Sequence, residues 1–165
     1  MKVLIINLRL KWFLVSLLFL IYIAFLLFAN FGTDNATFML ERHIGSPYKK
    51  ASHNIFPFAT MSTYLFNIHS YNFDNWFYNT FGNILLFIPM GILLPILFAK
   101  RVSLWLTIVI TMIVSLIIEI MQCVTQLGVF DVDDIIFNTL GGFAGFMLCF
   151  YLEIRKGYSN NLPSS

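Results

Sequence analysis

DDIIFNTLGGFAGFMLCFYL, residues 133–152, is the stretch on which the fold turns. From Ile135 to Leu152 it carries no charge, and Arg155 and Lys156 close it. Twenty residues at about 1.5 Å each make a helix of roughly 30 Å, the thickness of a bilayer's hydrocarbon core. Asp133 and Asp134 open the run, where a helix N-terminus favours negative charge. Gly141, Gly142, Ala144 and Gly145 leave one face smooth, a small-xxx-small spacing that lets a second helix come close.

Working outward, a turn at 125–130 separates this run from another at 102–124, whose only charge is Glu119. Lys100 and Arg101 precede it, and before them lies the uncharged run 81–99, in which Pro89 and Pro95 predict a kinked helix whose freed carbonyls neighbouring helices can satisfy. The first apolar run, 12–31, follows Lys2, Arg9 and Lys11. It is longer than the apolar core of a signal peptide, and Ala29-Asn30-Phe31 sets a bulky ring where cleavage requires a small residue, so it reads as a retained anchor. The fold class is an all-α membrane protein: a four-transmembrane-helix bundle in a single domain.

Composition agrees. Of 165 residues, 59% are hydrophobic and 11% charged, and the mean hydropathy is +0.81; an ordinary soluble domain carries about 25% charged residues. A large soluble catalytic domain is excluded. A net charge of +2 with scattered Lys and Arg offers no nucleic-acid surface. Threading the runs from a cytoplasmic start puts Lys2, Arg9, Lys11, Lys100, Arg101, Arg155 and Lys156 inside and only Arg42, Lys49 and Lys50 outside, which predicts cytoplasmic N- and C-termini. The long segment 32–80 is rich in Phe, Tyr and Trp and reads as an outer interfacial segment. Within it 54–66 is expected to lie on or dip into the outer leaflet, with Pro57 breaking regular helix. The polar stretch 157–165 reads as a frayed tail.

The intramembrane polar residues converge in depth. Glu119 falls about 8 Å below the outer boundary, where a carboxylate costs on the order of 3 kcal/mol unless it is protonated or partnered. Gln122 shares its face, Asn83 lies at the outer end of the second run, and Asp131, Asp134 and Asn138 lie at the outer end of the fourth. Asn83, Glu119, Gln122, Asp131, Asp134 and Asn138 are therefore the candidate ligand-binding residues. The structural alternatives are an N-cap for Asp131, helix-dipole placement for Asp133 and Asp134, and interhelical hydrogen bonding for the amides. With no Lys or Arg inside a span, the site suits a cationic ligand at the outer face, such as a metal cation or a drug amine.

Two other functions compete. Glu119 and Asp134 are candidate catalytic residues if the chain is an enzyme, acting as an acid and base pair on a lipid-linked envelope precursor. A small cation-coupled transporter is the other, opposed by polar residues that stop in the outer third. His43, His53 and His69 show no metal-ligand spacing, so neither metal nor cofactor is expected. Cys123 and Cys149 fall near opposite ends of their helices, beyond disulfide reach. There is neither a serine nucleophile elbow nor a phosphate loop. The lipid bilayer is the one certain partner, and a homo-oligomer is among the assemblies the sequence admits.

In order and spacing the chain resembles the VanZ-like family of bacterial membrane proteins. The resemblance is carried by Asn54-Ile55-Phe56-Pro57-Phe58, Gly82-Asn83-Ile84-Leu85-Leu86-Phe87-Ile88-Pro89-Met90-Gly91, Glu119-Ile120-Met121-Gln122, and Phe130-Asp131-Val132-Asp133-Asp134 through Asn138 to Gly141-Gly142. It implies a multi-span bundle in the bacterial cytoplasmic membrane, a cell-envelope role, and reduced susceptibility to teicoplanin-type glycopeptide antibiotics; it implies no particular reaction. Some relatives carry an Arg just before the acidic motif, where this chain has Gly128-Val129-Phe130; Arg42, Lys49 and Lys50 are the cations left to take that part.

Overall fold

A computed structural model describes residues 2–32, 53–59, 61–62, 73–98, 101–125 and 127–160. Among the described residues the long helices are α1 (Lys2–Phe31), α2 (Phe73–Leu97), α3 (Leu104–Thr125) and α4 (Val132–Asn160). Each contains a stretch long and apolar enough to cross a membrane, namely Arg9–Phe31, Thr80–Leu97, Leu104–Thr125 and Val132–Arg155. Helices suit this setting because they satisfy their own backbone where lipid offers no partner.

Three helices outrun their apolar stretches for one reason: charge and aromatic belts end an apolar run without ending a helix. α1 begins at Lys2, ahead of the run that starts at Trp12. Residues 73–80, expected in the interfacial segment, are the opening of α2, since neither Gly nor Pro interrupts them. Residues 157–160, expected in a frayed tail, continue α4 past Arg155. α2 remains one helix through Pro89 and Pro95.

α2 and α4 run in the same direction and meet backbone to backbone. A Cβ on Gly141 would strike the carbonyl oxygen of Ile84, one on Gly145 that of Ile88, and one on Gly91 that of Gly142. The stripe expected to pack does so, and its partner is α2. α3 lies antiparallel against α4, with the Thr111 side chain against Gly142 and Ser115 bonded to Asn138. Tyr22 and Leu26 of α1, Phe87, Met90, Leu93 and Leu94 of α2, and Ile118 of α3 form the apolar core. Lipid tails are as apolar as these side chains, so close packing and interhelical hydrogen bonds must hold the helices together. The Tyr22 hydroxyl supplies one such bond, donating to the Leu86 carbonyl at 3.1 Å. Leu20, Ile21, Phe25 and Phe28 of α1, with Trp105 and Ile117 of α3, are exposed and suited to lipid.

Candidate functional site

The polar groups gather where α3 passes into α4, and the α4 N-terminus organises them. The first amides of a helix lack partners within it. Here the Val132 N–H donates to the Asn54 carbonyl at 3.0 Å, and the Asp133 N–H to Asp131 Oδ1 at 2.8 Å. Asp131 is thus the N-cap, one of its two readings from sequence. Its Oδ1 also accepts from Asn54 Nδ2 at 2.8 Å, while the Asn54 N–H donates to the Phe130 carbonyl at 2.9 Å, closing a one-residue parallel bridge between Asn54 and Asp131. The Asp131 N–H donates to Glu119 Oε2 at 2.8 Å, so the Glu119 side chain, only 2% exposed, ties α3 to the cap. Asp131→Ala should cost about 1 kcal/mol from lost capping alone. Chemical unfolding in detergent micelles measures it, with a null effect contradicting the cap.

Asp133 has a larger part than the dipole placement expected of it. Its buried carboxylate accepts the Phe58 N–H through Oδ1 and the Met61 N–H, at 3.1 Å, through Oδ2. Between these two donors the chain turns tightly: Ala59 N–H donates to the Phe56 carbonyl at 3.2 Å, and Ser62 N–H to that of Phe58 at 2.8 Å. Phe58 has a φ of 64°, a left-handed conformation costing a side-chain-bearing residue roughly 1–2 kcal/mol. Residues 53–59 and 61–62 therefore form a strap fastened across the α4 N-terminus. Its tip, Ile55, Phe56 and Phe58, is exposed. Residues 33–52 and 63–72 of the interfacial segment, with Arg42, Lys49, Lys50, His43 and His69, lie outside the described residues.

Asp134 points to the other side of α4, where Asn83 Nδ2 donates to its Oδ1 at 2.6 Å. The close glycine packing of α2 and α4 puts these two side chains within reach. Asn83, Glu119, Asp131 and Asp134 are thus brought together around one helix end, with Asn54 and Asp133 added.

The two remaining candidates go elsewhere. Asn138, 3% exposed, lies a turn deeper and donates from Nδ2 to Ser115 Oγ at 2.8 Å. Gln122 turns to α1, donating from Nε2 to the Asn30 carbonyl at 3.1 Å, while its own carbonyl accepts the Leu127 and Gly128 amides that end α3.

Among the described residues no group of three or more His, Cys, Asp or Glu could hold a metal ion. His53 Nδ1 accepts the Phe130 N–H at 3.3 Å. Cys123 and Cys149 form no disulfide. Among the described residues no Lys or Arg pairs with Glu119 or Asp134. The described cationic side chains, Arg9, Lys11, Arg101 and Arg155, belong to the opposite end of the helices. What remains at the α3–α4 turn is a group of carboxylates held by amides and backbone N–H groups, an arrangement complementary to positive charge.

A VanZ/LLP1 family model matches residues 13–153. Protein VanZ of Enterococcus faecium is 30% identical over 99 residues, covering 60% of this chain and 61% of that protein. The match thus spans about three-fifths of the relative's length. No solved structure matches the chain.

Proposed function

Because the chain belongs to the VanZ/LLP1 family, we propose that it is a cell-envelope protein of the bacterial cytoplasmic membrane that binds a cationic group at its outer face and lowers susceptibility to teicoplanin-type glycopeptides. The observation that carries this reading is the position of Glu119 and Asp134: both are fixed at the end of the bundle by an amide or a backbone N–H, and neither has a cationic partner among the described residues. A carboxylate kept in or near hydrocarbon without a counter-ion is costly, and a ligand bringing a protonated amine would supply that charge. The gathering of Arg9, Lys11, Arg101 and Arg155 at the other end of the helices supports reading that end as cytoplasmic and the carboxylate end as outer. Asn83, Asp131, Asp133 and Asn54 then serve as positioning residues that hold the two carboxylates in place.

Teicoplanin susceptibility of a host with and without the gene tests the reading, alongside Glu119→Gln and Asp134→Asn, which keep shape and remove charge. Expression should lower susceptibility, and each variant, at equal membrane level, should abolish the effect. Equal susceptibility with and without the gene would overturn the resistance role; full protection by both variants would overturn the carboxylate site.

A further inference from the structure

At the end of the bundle remote from the carboxylates, α2, α3 and α4 part around a cleft of about 270 Å³. Pro95 of α2, Val102 just ahead of α3, and Phe146, Cys149 and Phe150 of α4 wall it. Positions 146, 149, 150 and 153 fall at i, i+3, i+4 and i+7, so a single face of α4 lines the cleft over about 10 Å. Val102 and Cys149 are buried, whereas Phe150 is exposed and stands at the open side. Among the described residues the polar lining is Ser103 and Glu153, and both belong to helix ends. Ser103 caps α3, its Oγ accepting the Leu106 N–H at 3.3 Å, and Glu153 lies two residues short of Arg155, where the apolar stretch of α4 stops. The cleft is thus polar at its mouth and apolar inward.

Packed interiors leave few voids larger than a water molecule, so a space of this size calls for an occupant. Water needs two or more polar partners, which only the mouth offers. An apolar cavity of about 150 Å³ takes up a benzene molecule, so this cleft has room for roughly twice that amount of hydrocarbon, a length of chain and not a whole lipid. Its depth supplies the source. The cleft lies where the apolar stretches Thr80–Leu97, Leu104–Thr125 and Val132–Arg155 meet the bilayer surface, among the lipid chains of one leaflet. A phospholipid there has the same order of polarity as the lining: ester and headgroup at the surface, chain inward.

We propose that this cleft is a phospholipid-binding site that takes one acyl chain from the leaflet at that end of the bundle, with the ester group at Ser103 and the chain running in toward Phe146. Ser103 Oγ already serves as acceptor for the Leu106 N–H, which leaves its O–H to donate to the ester carbonyl. Pro95 has no N–H and gives the chain an apolar wall. The Phe146 and Phe150 rings cover the chain from α4, and Cys149 between them is small enough to leave it room. Recognition rests on the chain and its ester, which diacyl phospholipids share, so the headgroup matters little. This site lies at the opposite end from the carboxylates and stands whether or not the ligand reading above holds.

The full chain in detergent is titrated with dioleoyl phosphatidylethanolamine, and bound lipid is read by native mass spectrometry. The intact protein should saturate with a single tightly held lipid, and dioleoyl phosphatidylglycerol should take its place. Cys149→Phe sets a ring in the cleft and should weaken binding about tenfold or more, since keeping two methylenes from burial is already worth about that. Cys123→Phe makes the same exchange near the far end of α3, away from the cleft, and should bind as the intact protein does. Phe150→Ala, which removes the wall at the open side, should also weaken binding and serves if the Cys149 variant does not fold. Absence of a saturable lipid adduct overturns the proposal, as does a folded Cys149→Phe or Phe150→Ala protein that binds as tightly as the intact one. Displacement of the lipid by deacylated glycerophosphoethanolamine would equally overturn it, since the headgroup and not the chain would then be what is held.

Discussion

Gly91→Ala should lower the stability of the helix bundle by about 3 kcal/mol, the upper part of the overpacking range. The added methyl would strike the Gly142 carbonyl oxygen and lie 2.7 Å from the Phe146 nitrogen and 2.9 Å from the Gly142 carbonyl carbon. All three are backbone atoms of α4, so no side chain can swing aside and the two helices must separate. Separation would also pull Asn83 away from Asp134, which links packing in the lower half of the bundle to the carboxylates at its end. Gly82→Ala is the internal control. Nothing lies within 4 Å of its added carbon, so it should be neutral or stabilising by up to about 1 kcal/mol through helix propensity. Unfolding of both variants by SDS titration in mixed micelles checks the pair. Equal stabilities for the two would mean that α2 and α4 do not touch.

Asp133→Ala should release the strap. It removes the acceptor for the Phe58 and Met61 amides, and hydrogen bonds to a charged group contribute about 1.5–3 kcal/mol each. A local loss of about 3 kcal/mol is roughly a 100-fold fall in hydrogen-exchange protection of those amides. Phe58 would then lose the acceptor of its own N–H, one of the bonds that hold its left-handed backbone. Asp133→Asn, which keeps one acceptor oxygen, should lose less. The helices should remain folded, since their backbone bonds are internal, so the change is confined to 53–62 and the α4 N-terminus. Unaltered protection at Phe58 and Met61 in Asp133→Ala would refute the strap.

Most of the fold can be read from the chain because lipid imposes simple rules. Uncharged runs of bilayer length mark the crossings, and Gly141, Gly142 and Gly145 mark a face of close approach. Glu119 stands out because an intramembrane acid is rare and demands a partner. Asp131, at the boundary between turn and helix, shows its capping part through position alone. Other features depend on which segments meet. Asp133 looks like any acid in a first helical turn, and only the strap from far upstream shows that it serves Phe58 and Met61. Asn54 joins the site through a single bridged residue, too short a pairing to leave a period-two pattern. Gln122 shares the Glu119 side of α3, yet α1 supplies a nearer carbonyl and draws it away. The buried Thr107, Thr111 and Ser115 of α3 escaped because uncharged hydroxyls are ordinary in membrane helices.

Underlying the proposed ligand site is the claim that the upstream strap and the ends of α2, α3 and α4 form one polar assembly. Cysteine cross-linking of Asn54→Cys with Asp131→Cys, in a background carrying Cys123→Ser and Cys149→Ser, tests it most directly. The bridge between these residues should bring their Cα atoms within disulfide range, about 4.4–6.8 Å. Oxidation of whole membranes should therefore give rapid, nearly complete intramolecular cross-linking that reductant reverses. A pair that stays reduced, or that links only between separate chains, would contradict the account.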